Sequence, residues 1–271
     1  MLRYFKKLNV SKDLLLYVGG ILLVLVIGIG NFHAPLARAY EDVAFAVNPS
    51  AERAFDYGER HFSATDPAMY DIDRAEYFFE AAAVLDPGIP YLFHELARIS
   101  FLRGDFNKAM ARIDLQIALH GDSAPKAYYV RGLIEGYKGE YAEAARDYEH
   151  FLTFDPLSWA AHNDYAWVLL KAGRAPEAVR VTEKGLQYFP ENVWLLNTSA
   201  IALYETGEYA LARERASAAS AASEKITRAD WLRAYPGNDP RVAQAGISTL
   251  QASARDNIHM IEAAYASSTI Q

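Results

Sequence analysis

The stretch HELAR at residues 94–98 places His94 and Glu95 at the start of a candidate helix, and it is the stretch most suggestive of chemistry. Two histidines four residues apart on one helix face can bind zinc, with a glutamate between them acting as general base. The fourth position after His94 is Arg98, so the second ligand is missing. The pattern therefore predicts no metal here and leaves His94 as a polar residue that faces a groove.

The rest of the chain offers no other catalytic constellation. It has no phosphate-binding loop, no G-x-S-x-G turn and no dinucleotide fingerprint. Its 271 residues include no cysteine, which excludes disulfides, zinc–thiolate sites and cysteine nucleophiles. We therefore expect a protein that is not an enzyme, with no cofactor and no metal. Because 52% of the residues are hydrophobic, the chain can bury a large core.

The formal net charge of −7 is unevenly distributed along the chain. Residues 1–13 carry +3, from four basic residues against Asp13, so the remaining residues carry −10. A nucleic-acid-binding surface needs a basic patch that displaces counterions. The acidic body therefore predicts no nucleic-acid partner.

An uncharged run, LLLYVGGILLVLVIGIG, follows the basic residues at positions 14–30. As a helix it is roughly 25 Å long, and Asn31 and Phe32 bring it closer to a bilayer span. We predict a transmembrane signal anchor at 14–32, after a cytoplasmic segment at 1–13 and before a juxtamembrane linker at 33–50. The alternative is a secreted protein cleaved near Ala39, where Ala-Arg-Ala resembles a cleavage site. In both cases the basic N-terminus stays in the cytoplasm and the body is extracytoplasmic.

Several small residues and prolines recur with a period of 34 or 35 residues downstream of this segment. A recurrence that independent positions share is a strong indication of structural repeats. The positions are the glycines Gly104, Gly139, Gly173 and Gly207; the upstream small residues Ala97, Gly132, Ala166 and Ala200; the downstream alanines Ala109, Ala144, Ala178 and Ala212; and the prolines Pro87, Pro156 and Pro190.

Each recurring position has a physical reason in a helical hairpin. Glycine suits the turn between two helices, often with positive φ. The small residues on either side let the two helices approach closely. Proline ends the second helix, because it lacks an N–H and disfavours helix in the preceding residue.

This pattern resembles the tetratricopeptide repeat family, whose 34-residue helix-turn-helix units stack into a right-handed superhelix. The resemblance implies an all-α fold with about five units over residues 51–226. They are a degenerate unit at 51–89, with a longer loop between its helices, and units at 90–123, 125–158, 159–192 and 193–226.

The same resemblance implies which residues of each first helix face the concave groove. Aromatic and hydrogen-bonding groups in such a groove are typical of a peptide-binding surface. For Trp167 and Trp194, packing between repeats is an equally good interpretation. The carboxylate clamp of chaperone-binding relatives is absent, because only His94 and Arg98 could hold an anion and Asp164 would repel one. The groove residues are Tyr91, His94, Arg98, Lys126, Tyr129, Asn163, Trp167, Trp194, Asn197 and Tyr204.

Residues 227–271 lie beyond the last unit and form a linker followed by a predicted helix. Asp239 and Pro240 suit the start of that helix, and Ile247, Ile258 and Ile261 give it one apolar stripe. The helix is interpreted either as a cap that covers the last repeat and presents a polar face to solvent, or as a partner-binding or dimerising element.

Two functions remain open from the sequence. One is a membrane-anchored, non-enzymatic scaffold that binds a protein or peptide in its groove and assists assembly of an envelope complex. The alternative is a structural homo-oligomer that associates through its C-terminal helix.

Overall fold

The computed structural model describes residues 33–268, which form α-helices, short 3-10 turns and loops, with no β-strand in that range. These residues divide into two units, one ending at Pro49 and one beginning at Ser50. In the first unit, residues 33–47 are helical (α1). The predicted span at 14–32 lies outside the described residues, and no helix within 33–268 combines the length and apolarity needed to cross a bilayer.

The second unit is built from helices that pair in chain order. They are α2 (Ala51–Phe62), α3 (Ile72–Leu85), α4 (Leu92–Leu102), α5 (Phe106–His120), α6 (Lys126–Lys138), α7 (Tyr141–Phe154), α8 (Trp159–Lys171), α9 (Ala175–Tyr188), α10 (Val193–Glu205), α11 (Tyr209–Ser223), α12 (Arg228–Ala234) and α13 (Ala243–Ser268). Each helix from α2 to α10 packs against the next one along the chain, and α6 and α8 also contact each other, as do α8 and α10. This all-α arrangement of stacked hairpins agrees with the fold class that the sequence predicts.

Side-chain caps begin many of these helices. Asp71 accepts a hydrogen bond from the Arg74 backbone N–H at 3.1 Å, and Ser158 accepts one from Ala161 at 3.3 Å. Asn192 does the same for Leu195 at 3.0 Å. Each cap satisfies one of the backbone donors that have no partner within the first helical turn.

Glycines in left-handed backbone conformations separate the two helices of four hairpins. Gly104, Gly139, Gly173 and Gly207 have φ values of 76°, 86°, 71° and 83°. L-residues with a Cβ adopt this conformation only at a cost, so glycine is favoured there.

Small residues lie where paired helices cross. Ala97, Ala166 and Ala200 are fully buried on first helices, as are Ala109, Ala144, Ala178 and Ala212 on second helices. At Gly132 an added Cβ would lie 3.2 Å from the Tyr148 ring and 3.3 Å from the Ala144 carbonyl oxygen. A larger side chain would therefore separate the helix axes. Pro156 and Pro190 follow the last residues of α7 and α9, beyond Asp155 and Phe189.

The hairpin α2–α3 has a longer connection, residues 63–71, than the later hairpins. The connection is fixed at its ends, because His61 Nδ1 lies 2.8 Å from the Met69 carbonyl oxygen and the Asp71 N–H donates to the His61 carbonyl at 2.9 Å. Tyr70 is buried within it.

The segment after α11 differs from the predicted linker. Residues 228–234 form the helix α12, which begins with a capping box between Thr227 and Asp230. Asp239 caps a 3-10 turn at Pro240–Val242, and α13 begins only at Ala243.

The helix α13 packs against α11 and α10. Ile261 is fully buried there in one cluster with Ala200, Leu203, Ala212 and Ala216. This packing agrees with the interpretation of α13 as a cap over the last repeat.

A groove filled by the chain's own segment

The groove is the face formed by the first helices α4, α6, α8 and α10, and a polar ladder links three of them. The Tyr129 hydroxyl on α6 donates to Asp164 Oδ2 on α8 at 2.6 Å, and Asn163 Nδ2 donates to Asp164 Oδ1 at 3.0 Å. Thr198 Oγ1 on α10 donates to Asn163 Oδ1 at 2.8 Å. The floor of the groove is therefore a fixed network of hydrogen bonds.

Burial sets the protonation of this ladder. It raises the pKa of Asp164, although the hydrogen bonds from Tyr129 and Asn163 act in the opposite direction. Burial, followed by the nearby Asp164 carboxylate, raises the pKa of Tyr129 well above its ordinary range. Tyr129 therefore remains a neutral donor.

Aromatic rings form the α10 end of the groove. Trp194 stacks on Trp159 with ring centroids 4.9 Å apart. Its Nε1–H donates to the Tyr235 hydroxyl oxygen at 2.9 Å, and the Tyr235 ring packs against Trp231 with centroids 4.2 Å apart. Trp231 and Tyr235 come from the C-terminal segment, so this end is occupied by the chain itself.

Arg98 organises the opposite end of the groove. Its guanidinium donates to Glu95 Oε2 at 2.6 Å and lies 4.9 Å from the centroid of the Phe62 ring. The other terminal nitrogen of Arg98 donates to the Pro236 carbonyl oxygen. The next carbonyl, that of Gly237, accepts a 2.8 Å hydrogen bond from the Tyr70 hydroxyl.

Residues 231–239, which we call the strap, thus contact the groove from Trp194 at one end to Arg98 and Tyr70 at the other. Gly237 in the strap is buried and has φ +84°. A Cβ there would lie 2.6 Å from Arg98 Nη2 and 2.8 Å from the Phe62 ring. The strap backbone at Gly237 therefore packs directly against Arg98 and Phe62, with no room for a side chain.

His94 is buried and not free in the groove. Its backbone N–H donates to Gln116 Oε1 at 3.2 Å, and its ring packs against Tyr91 with centroids 5.5 Å apart. Burial, followed by the charges of Arg98 and Lys126, lowers the pKa of His94 to about 3. The imidazole is therefore neutral at physiological pH.

Trp167 packs between repeats, which is the second of the two interpretations open from the sequence. Its ring centroid lies 5.8 Å from that of Tyr137 and 6.3 Å from that of Tyr141, and an added Cβ at Gly136 would lie 3.1 Å from it. Lys171 lies 5.9 Å from the ring centroid.

Asn197 and Tyr204 lie beneath the C-terminal cap. Asn197 Oδ1 accepts a 2.9 Å hydrogen bond from Asn257 of α13, and Tyr204 packs beside the cluster around Ile261. Lys126 is exposed, with its ammonium 6.0 Å from the Tyr91 ring centroid, and Tyr91 has φ +64° at the start of α4.

The ten predicted groove residues thus divide by position. Arg98 and Trp194 contact the strap directly, and Tyr129 and Asn163 belong to the ladder. The sequence interpretation missed the strap and Tyr70. Its available signals were the Thr-x-x-Asp capping box at 227–230 and the Tyr-Pro-Gly triplet at 235–237. Among residues 33–268 no group of three or more acidic or histidine side chains could hold a metal ion.

Comparison with known proteins agrees with this architecture. Residues 169–235 match the family model of the tetratricopeptide repeat. A comparison with curated protein sequences gives no match.

Solved structures extend the likeness to most of the array. The crystal structure of MamA protein is 18% identical, with a TM-score of 0.54, and the match covers 65% of this chain and 92% of that one. A MamA AMB-1 structure is 17% identical, with a TM-score of 0.55 and coverages of 64% and 99%. YrrB, described as a TPR protein with an unusual peptide-binding site, is 12% identical, with a TM-score of 0.54 and coverages of 76% and 96%. At these identities the likeness shows the fold, which is that of tetratricopeptide repeat proteins.

Proposed function

We propose that this protein is a membrane-anchored, non-enzymatic scaffold that binds a peptide or protein partner in its groove. Residues 14–32 anchor it, the repeats lie on the extracytoplasmic side, and the bound partner belongs to an envelope complex. The observation that carries the proposal is that the groove already holds a peptide segment, the strap.

The contacts of the strap support peptide binding because two of them use backbone carbonyl groups, which any peptide offers. Arg98 and Tyr70 donate to two successive backbone carbonyls, and Trp194 contributes an aromatic face and an N–H donor. Backbone hydrogen bonds give affinity, and side-chain pockets give specificity. YrrB, which shares the fold, carries a peptide-binding site by its description.

The homo-oligomer alternative draws less support from the packing of α13. Its buried residues Ile247, Ala254 and Ile261 face this chain's own helices. That apolar stripe is therefore already used within one molecule.

A capture experiment tests the proposal. The full chain carries a photo-crosslinking residue at Lys126, which is exposed beside the groove, and cells expressing it are irradiated. We expect a partner crosslink that Trp194→Ala reduces at least fivefold, since removing the indole removes an aromatic anchor.

Tyr188→Ala is the matched control, because Tyr188 is 50% exposed on α9 and outside the groove. It should leave the crosslink unchanged. Equal recovery from the parent chain and from Trp194→Ala would contradict the groove as the binding surface.

A further inference from the structure

We propose that the groove is specific for a tight turn of the form Tyr-Pro-Gly in its partner, and that the strap, in which the Asn238 N–H donates to the Tyr235 carbonyl oxygen at 3.2 Å, is an internal competitor with the same chemistry. This inference rests on the proposed function, because it names the class of ligand that the same groove takes. Three successive strap residues contact the groove or its edge: Tyr235, Pro236 and Gly237.

The aromatic position selects tyrosine. The indole N–H of Trp194 is a donor only, and its partner is the Tyr235 hydroxyl oxygen at 2.9 Å. A phenylalanine would supply the ring and leave that donor without its partner, at a cost in affinity. Burial raises the pKa of Tyr235, so the hydroxyl remains protonated in the groove.

The third position selects glycine. The strap backbone at Gly237 has φ +84°, which side chains with a Cβ rarely adopt. A Cβ would also lie within 2.6 Å of Arg98 Nη2 and 2.8 Å of the Phe62 ring. Arg98 lies on α4 in the groove and Phe62 at the end of α2 beside it, so the restriction applies to any ligand that binds there in the same way.

The middle position benefits from proline. Pro236 is exposed, and its carbonyl oxygen is the acceptor for Arg98. Proline fixes φ near −65° and so reduces the conformational freedom that binding removes. The Pro236 and Gly237 carbonyls accept from different helical hairpins, which fixes the direction of the segment.

Tethering makes the strap an effective competitor. The strap begins within the second half of α12 and leads through the 3-10 turn into α13, so both of its ends are attached to the array. A short tether gives an effective concentration in the millimolar range. An external segment therefore binds weakly while the strap is seated and much more tightly when it is released.

The test uses the full chain in detergent and a fluorescein-labelled synthetic peptide of residues 228–240, with binding followed by anisotropy. The double variant Tyr235→Ala/Gly237→Ala releases the strap and leaves the contact of Trp231 with Gly246 of α13 in place. We expect the released chain to bind the peptide at least tenfold more tightly than the parent chain does. Adding Arg98→Ala to the released chain should remove that gain, because the guanidinium that donates to the carbonyl oxygen at the proline position is lost.

The matched control is Arg233→Ala, a strap variant whose exposed side chain pairs with Asp230 and not with the groove. It should bind the peptide as weakly as the parent. Thermal unfolding followed by circular dichroism identifies variants that fail to fold. If the released chain folds and binds no more tightly than the parent, the strap is not a competitor and the proposal is wrong.

Peptide variants test the specificity. Replacing the peptide glycine that corresponds to Gly237 by alanine should weaken binding to the released chain at least tenfold, and replacing the tyrosine by phenylalanine should weaken it severalfold. Equal binding of the alanine peptide would overturn the proposed specificity.

The outcomes also separate this inference from the proposed function. A cellular crosslink that depends on Trp194, together with indifference to the peptide glycine, would leave the scaffold function standing and remove the ligand class. A crosslink that is independent of Trp194 would contradict the scaffold function itself, whatever the peptide does.

Discussion

At the scale of single residues, Gly237 is the strap position with the least room for a side chain. Its backbone conformation and the absence of a Cβ are both required, because Arg98 and Phe62 occupy the space beside it. Gly173 has a similar φ of +71°, but an added Cβ there meets nothing within 4 Å. An alanine at Gly173 would therefore add backbone strain alone, whereas an alanine at Gly237 would add both backbone strain and steric overlap with Arg98 and Phe62.

We expect Gly237→Ala to raise hydrogen exchange of the strap amides at least tenfold, because it displaces the strap from Arg98 and Phe62. An alanine in this conformation costs about 1–2 kcal/mol before any overlap with Arg98 is counted. Gly173→Ala carries the same backbone cost in the α8–α9 turn, so it should lower the melting temperature and leave strap exchange unchanged. Identical exchange profiles in both variants would show that the Gly237 contact does not hold the strap.

Glu135 on α6 is a second residue whose environment predicts a measurable effect, a pH dependence of stability. Its side chain is 11% exposed, and Oε2 has no hydrogen-bond partner. Arg131 bonds instead to both oxygens of Asp147, at 2.6 and 2.8 Å. Burial, followed by the charge of Asp147, raises the pKa of Glu135 from 4.5 to about 8.

This shift predicts a pH dependence with a definite sign. Between about pH 4.5 and 8 the folded chain binds more protons at Glu135 than the unfolded chain does, so the free energy of unfolding falls as pH rises. The contribution is fully present below the unfolded pKa and lost above the folded one. Glu135→Gln should flatten that decline and unfold at higher denaturant concentration than the parent near pH 8.

Urea unfolding at a series of pH values provides the measurement. Glu214→Gln, on the exposed face of α11, is the control and should follow the parent. A Glu135→Gln chain with the parent's slope between pH 5 and 8 would contradict the assignment.

At the scale of elements, α13 covers the last repeat with one face only. Ile261 is fully buried among Ala200, Leu203 and Ala216, whereas the adjacent Met260 is 40% exposed. These two neighbouring positions of one helix therefore provide a buried site and an exposed site for comparison.

We expect Ile261→Ala to lower the free energy of unfolding by about 2–5 kcal/mol, because it leaves a cavity under the cap. Met260→Ala should change it by no more than about 0.5 kcal/mol. Chemical denaturation of the two variants measures the difference. Similar small losses in both would mean that α13 does not cap the array.

An element could be predicted from the sequence when the residues that determine it lie close together in the chain. The hairpins could be predicted because each depends on close neighbours, such as Gly139 in a turn and Ala144 at the adjoining crossing. The same small residues are needed in every repeat, so they recur at a fixed period that a single sequence reveals.

The strap could not be predicted, because its cause is not local. Tyr70 and Gly237 are 167 positions apart, and Arg98 and Pro236 are 138 apart. Nothing periodic marks these pairs, and the triplet at 235–237 is also typical of an ordinary turn. The helix α12 within the predicted linker has a local signal, the capping box of Thr227 and Asp230, which the sequence interpretation did not use.

At the scale of the whole molecule, the proposed anchor places a basic N-terminus on one side of a membrane and the acidic body on the other. The absence of cysteine lets single cysteines be introduced as unique probes. Ser11→Cys lies in the basic N-terminus, and Ser217→Cys lies at an exposed position of α11.

We expect a membrane-impermeant maleimide, added where it reaches the extracytoplasmic side, to label Ser217→Cys in intact membranes. It should label Ser11→Cys only after permeabilisation, since positive residues remain cytoplasmic. Labelling of Ser11→Cys in intact membranes would reverse the proposed orientation. Release of the body without its first residues would favour cleavage near Ala39.

The strap also changes how we expect the array of repeats to unfold. A stack of repeats in which each unit contacts only its neighbours can fray from either end, with several partly unfolded states. Here residues 231–239 join the first hairpin, through Phe62 and Tyr70, to the fifth, through Trp194. Neither end can then open alone, and the five hairpins behave as one cooperative unit while the strap is seated. If the proposed partner displaces the strap, we expect the two ends of the array to unfold independently of each other.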